Sequence, residues 1–146
     1  MTKIVINSCH GGFELSEEAI IRYNELKGRQ VWVLSDKEMM FNTYSLVAPE
    51  DRIDAGEIRS YSPERWFEMS DEERGEYNQK WSEQTFQARN LERDDPILVH
   101  VVEELGKAAD SRFSELKVVE IPDDVEWQIE EYDGAEWIAE KHRTWS

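Results

Sequence analysis

A chain of 146 residues with 33 acidic side chains against 17 basic ones, and a formal charge of −16, repels phosphate backbones and anionic lipid. Direct, sequence-independent binding of nucleic acid and electrostatic attachment to a membrane are therefore disfavoured. The 39% hydrophobic content, with six Trp, five Tyr and five Phe, is enough apolar surface to offset ordering entropy, so the expectation is a folded chain, most simply one domain over residues 1–146, with an acidic surface.

Cys9 is the only cysteine, so no disulfide can form within the chain. The apolar start Lys3-Ile4-Val5-Ile6 is too short for a signal sequence or a membrane span. Together these point to a cytoplasmic protein with a reduced thiol.

Ile4-Val5-Ile6 reads as a buried strand. It runs into the turn Asn7-Ser8-Cys9-His10-Gly11-Gly12-Phe13 and then a helix opened by Ser16 as N-cap, with Glu17 and Glu18 in its first turn. Ala19, Ile20, Tyr23 and Leu26 fall on one face of that helix, and Lys27-Gly28 stops it. Gln30 to Leu34 follows as a second strand, and strand–helix–strand is the βαβ pattern, which predicts that the two strands run parallel.

Phe41 to Val47 suits a strand and Pro49-Glu50-Asp51 a turn, and Ser62-Pro63 opens a short helix around Arg65-Trp66-Phe67. Ser70 with Glu73 forms a capping box that starts a helix to about Phe86, whose thin apolar face holds Tyr77 and Trp81. Residues 36–92 thus read as a polar helical elaboration within the domain, not a second domain.

Asp95 as cap, Pro96 at the first helical position, and Leu98, Val101, Val102, Leu105 and Ala109 at three- and four-residue spacing predict a core helix. Leu116 to Ile121 reads as a strand, Trp127-Gln128-Ile129 as a short extended piece and Asp133-Gly134 as a turn. Ala135 to His142 is expected to form a closing helix that buries Trp137 and Ile138, with Trp145 beside them. The fold class expected is α/β, with α+β as the alternative: a small mixed sheet, at least two of its strands parallel, packed with helices.

Two adjacent glycines at a helix mouth let a ligand approach main-chain N–H groups where the dipole favours anions. The same residues also make an ordinary tight turn. Arg112 and Phe113 place a guanidinium beside an aromatic face, a pairing suited to a phosphorylated, base-bearing ligand, although a surface Arg beside a core Phe has the same sequence. The candidate ligand-binding residues are therefore Asn7, Cys9, His10, Gly11, Gly12, Phe13, Arg112 and Phe113. Whether the two groups meet depends on strand direction.

Cys9 beside His10 has the residue types of an activated nucleophile, yet neighbours on extended chain point apart. His10, His100 and His142 are scattered, without metal-ligand spacing. No catalytic residue, metal or cofactor is expected. The residues support non-catalytic binding of a nucleotide-like ligand. Two alternatives stand beside it: an acidic protein that inhibits a host protein through the run from Glu120 to Glu140 or the helix from Ser70 to Phe86, and an enzyme using Cys9 or a carboxylate. The many aromatics are compatible with a homo-oligomer.

The opening block Val5 to Ser16, the core helix Asp94-Asp95-Pro96 to Gly106, and the closing block Leu116 to Trp127 through Glu131-Tyr132-Asp133-Gly134 resemble small phage proteins. More specifically, they are similar to the Thoeris anti-defence sponges, which sequester a cyclic ADP-ribose signal and so silence a host immune effector. The resemblance spans about half the chain and leaves 36–92 outside it. It implies counter-defence by sequestration in the cytoplasm of the host bacterium; no ligand residue is carried over from it.

Overall fold

The computed structural model of the chain describes residues 1–35, 42–53 and 67–141. They form an α+β fold of helices and small antiparallel sheets. The chain divides into two compact units, one of Met1–Gly28 with Ala88–Ser146 and one of Arg29–Gln87.

In the first unit, strand β1 (Thr2–Asn7) pairs antiparallel with β4 (Leu116–Ile121), Thr2 opposite Ile121 and Asn7 opposite Leu116. By alternation Ile4 and Ile6 share one face of β1 and Val5 and Asn7 the other, and all four are buried. A strand buried on both faces reads as the unbroken apolar run seen in the sequence. Helix α1 (Glu17–Leu26) is capped by Ser16, whose hydroxyl accepts from Ala19 N–H at 3.1 Å. Helix α3 (Pro96–Leu105) is capped by Asp95, which accepts from Ile97 N–H at 2.9 Å. The two helices pack on each other, and α3 lies on β1 and β4, burying Leu98, Val99, Val101 and Val102. Tyr23 of α1 donates its hydroxyl to Asp95 at 2.6 Å, which ties the cap of α3 to the face of α1.

The unit closes with the hairpin of β5 (Trp127–Tyr132) and β6 (Ala135–Glu140), which contacts β1 through β6. The closing helix expected from Ala135 is therefore a strand. Asp133 (φ 50°) and Gly134 (φ 88°) form a two-residue turn with both positions at positive φ, the geometry that joins twisted antiparallel strands. Cross-strand pairing then overrides the helical spacing of Ala135-Glu136-Trp137-Ile138. Trp137, expected in the core, is exposed, while Ile138 is half-buried. His142 and Trp145 lie outside the described residues.

In the second unit β2 (Trp32–Leu34) pairs antiparallel with β3 (Thr43–Ser45). The parallel pairing expected for the first two strands is thus absent. β1 takes its partner from the far end of the chain and β2 from the next strand, so the helix between them is not a parallel crossover. Pro49–Asp51 is a turn of 3-10 helix. Helix α2 (Asp71–Gln84) starts at Ser70, which accepts from Glu73 N–H at 3.1 Å, and has no buried residue. Arg52 is buried and donates to the carbonyl of Gln84 at 3.1 Å and the hydroxyl of Thr85 at 3.0 Å, fixing the end of α2. Of the short helix expected around Arg65-Trp66-Phe67, Phe67 is helical and Arg65 and Trp66 lie outside the described residues.

Candidate functional site at the end of β1

Because β1 and β4 are antiparallel, the loop leaving β1 and the loop entering β4 emerge at the same end of the ribbon. The glycine turn and Arg112-Phe113 are thereby neighbours. Gly11 lies so close to the backbone of Phe113 that a Cβ added to it would sit 1.7 Å from the Phe113 carbonyl oxygen. Gly134 of the hairpin turn approaches the other flank, where a Cβ would come within 2.7 Å of the His10 carbonyl oxygen. Three loops converge here, and glycine is required at two of the contacts.

Asn7 holds them together. It is 0% exposed, and its Nδ2 donates to the carbonyls of Cys9 at 2.7 Å and Gly134 at 2.9 Å. Its Oδ1 accepts from Glu115 N–H at 2.8 Å and from the Cys9 thiol at 3.4 Å. Both donors and both acceptor positions of the amide are used. Asn7, expected to contact a ligand, is instead the internal tie of the site. The Cys9 thiol also faces the Phe113 carbonyl at 3.3 Å, so it too is turned inward.

Beside this tie lies an ion pair that the sequence did not single out. Arg93 donates to Glu136 in bidentate fashion, at 2.7 and 2.9 Å, with side chains only 16% and 7% exposed. The Arg93 guanidinium sits 3.4 Å from the centre of the Phe13 ring, a cation–π contact that occupies one face of that ring. The pair also covers the edge of β1 that β4 leaves open. The Arg93 carbonyl accepts from Val5 N–H at 2.8 Å, the guanidinium donates to the Val5 carbonyl at 3.3 Å, and Glu136 Oε1 accepts from Asn7 N–H at 2.8 Å. One stretch of backbone and two side chains thus do the work of a third strand. No sequence signal foretold it, since Arg93 and Glu136 are 43 positions apart among many charged residues.

Of the expected ligand contacts, His10, Gly11, Arg112 and Phe113 are exposed, Gly12 and Phe13 half-buried. Among the described residues, no main-chain N–H from Cys9 to Phe13 donates a hydrogen bond. An open hollow of about 640 Å³ lies alongside, lined by Gly106, Lys107, Asp110, Ser111, Ser114, Glu115 and Leu116. It borders the Arg112-Phe113 turn but not the glycines. Its lining holds one basic residue, Lys107, against two acidic ones, Asp110 and Glu115, and so does not favour an anion. The hydroxyls of Ser111 and Ser114 bond each other at 2.9 Å, and Ser114 donates to the Glu14 carbonyl at 2.7 Å, which anchors the turn carrying Arg112.

His100 bonds Glu104 on its own helix at 3.1 Å, and Cys9 makes no contact with it. Among the described residues no cluster of His, Cys, Asp and Glu has the geometry to hold a metal ion, and no helix is long and apolar enough to cross a membrane. Comparison with protein-family models, with curated proteins and with solved structures returns no match.

Proposed function

We propose that the protein is a non-catalytic binder of an anionic, nucleotide-like signalling molecule, held at the turn His10-Gly11-Gly12-Phe13 against Arg112 and Phe113. The observation that carries this reading is the juxtaposition of undonated main-chain amides with an exposed guanidinium and aromatic ring at one end of the β1–β4 ribbon. Amides and Arg112 supply charge-assisted hydrogen bonds to phosphate, and Phe113 supplies a stacking face for a base. The inward-turned Cys9 thiol supports binding without turnover. The resemblance of the opening and closing blocks to phage sponge proteins favours a ligand of the cyclic ADP-ribose class and a counter-defence role inside the host cell.

The test is thermal-shift titration with cyclic ADP-ribose isomers and cyclic oligonucleotides, followed by recovery of the ligand after denaturation. The expected result is a raised melting temperature with one of them, chemically unchanged ligand on recovery, and loss of the shift in Arg112→Ala. No shift with any of them removes the proposal, and a converted ligand replaces it with an enzyme.

A further inference from the structure

The two faces of the β5–β6 hairpin differ in character. Directly opposed residues of an antiparallel ribbon share a face, and the register Glu130↔Trp137 and Tyr132↔Ala135 therefore puts Glu130, Trp137 and Tyr132 on one side. Glu136, on the other side, is turned inward to Arg93. On the outward side Tyr132 is 74% and Trp137 45% exposed, so two large rings stand in water on one small face. On the same face, opposite Trp137, the carboxylate of Glu130 is fixed at both oxygens. Trp137 Nε1 donates to Oε2 at 3.1 Å and Gln128 Nε2 donates to Oε1 at 3.1 Å. From Glu120 to Glu140 the chain has nine acidic residues and no Lys or Arg, so nothing within that run neutralises the face.

We propose that this outward face docks a basic segment of a partner protein, with an Arg or Lys side chain lying over Trp137 and Tyr132 and its charge against Glu130. Exposed rings attract a cation through their faces, and a carboxylate already held in place accepts its hydrogen bonds without further ordering. Arg suits the face better than Lys, because a planar guanidinium stacks on indole while its edge still donates. A second copy of this chain is disfavoured there, since it would bring Glu130 and its acidic surroundings against their own like. The inference is independent of the proposed anion site, which uses other residues.

Calorimetric titration of the full chain with a short Arg–Gly repeat peptide tests it, with a Glu–Gly repeat as control. The Arg–Gly peptide is expected to bind, to shift the Trp137 indole N–H resonance, and to weaken as salt rises. The Glu–Gly peptide is expected not to bind. Trp137→Ala and Tyr132→Ala leave the net charge unchanged, and each is expected to lower the affinity about fivefold. Equal affinity in the wild type and both variants overturns the proposal and assigns the binding to diffuse acidity, as does absence of binding at low salt. If circular dichroism shows that Trp137→Ala is misfolded, Tyr132→Ala, at the more exposed of the two positions, decides the matter.

Discussion

Replacing Asn7 by Ala removes the one side chain that ties the glycine turn, the start of β4 and the hairpin turn. Three of its hydrogen bonds are short, at 2.7, 2.8 and 2.9 Å, and the fourth is a long thiol contact at 3.4 Å. With no exposure at the site, water cannot replace them without rearrangement. At about 1 kcal/mol net for each short bond, the loss comes to about 3 kcal/mol, a large share of the stability of a domain of this size. With a urea slope of about 2 kcal/mol per molar, the unfolding midpoint falls by about 1.5 M. Urea denaturation followed by circular dichroism and Trp fluorescence measures it. Asn7→Asp separates hydrogen bonding from volume, because it keeps the shape but sets acceptors against two carbonyls. It is expected to be at least as damaging at neutral pH, and partly relieved as the carboxyl gains a proton. A loss under about 1 kcal/mol for Asn7→Ala, or an undisturbed Asn7→Asp, would refute the role assigned to this residue.

Arg93→Ala leaves Glu136 as an unpaired carboxylate with its side chain 7% exposed, and an unfolding free energy lower by about 3 kcal/mol is expected in the same denaturation assay. Gly11→Ala is expected to force the glycine turn off the Phe113 backbone, seen as a lower melting temperature together with faster alkylation of Cys9; unchanged alkylation would show that the turn does not shield the thiol. Burial pushes the Asp95 carboxyl up, but hydrogen bonds from Tyr23 and Ile97 and the nearby Lys27 charge outweigh it, so the net shift is downward from 3.8. Its folded value lies below its unfolded one, so its stabilising contribution is complete above the unfolded value and is lost as pH falls through the folded value. The wild type is therefore expected to lose more stability than Asp95→Asn between pH about 5 and pH about 2, measured by urea midpoints across that range.

Where local chemistry decides, the sequence was legible. Ser16, Ser70 and Asp95 cap as their residue types predict, Pro96 opens α3, β4 has the predicted limits, and Asp133-Gly134 turns the chain. Pairing was not legible, because it depends on residues far apart in the chain. The short run at β1 is equally suited to a parallel or an antiparallel neighbour, and Ala135 to Glu140 has helical spacing that only its partner β5 overrules. At the candidate site the glycine turn and Arg112-Phe113 were visible as separate signals, and strand direction joined them. Arg93 and Glu136 were invisible, since a charged residue shows its value only when its partner and its burial are known.

The way β1 is enclosed bears on how the chain is made. This segment is made well before its partners: Glu115, which its Asn7 bonds, follows 108 positions later, and the carboxylate that seals its other side follows later still. Until then an apolar extended segment has no neighbour to satisfy its backbone, a condition that favours slow maturation and mispairing with other nascent chains. Truncation before the β5–β6 hairpin should thus leave β1 without the carboxylate that closes its open edge, so that a segment made late governs whether one made much earlier becomes ordered.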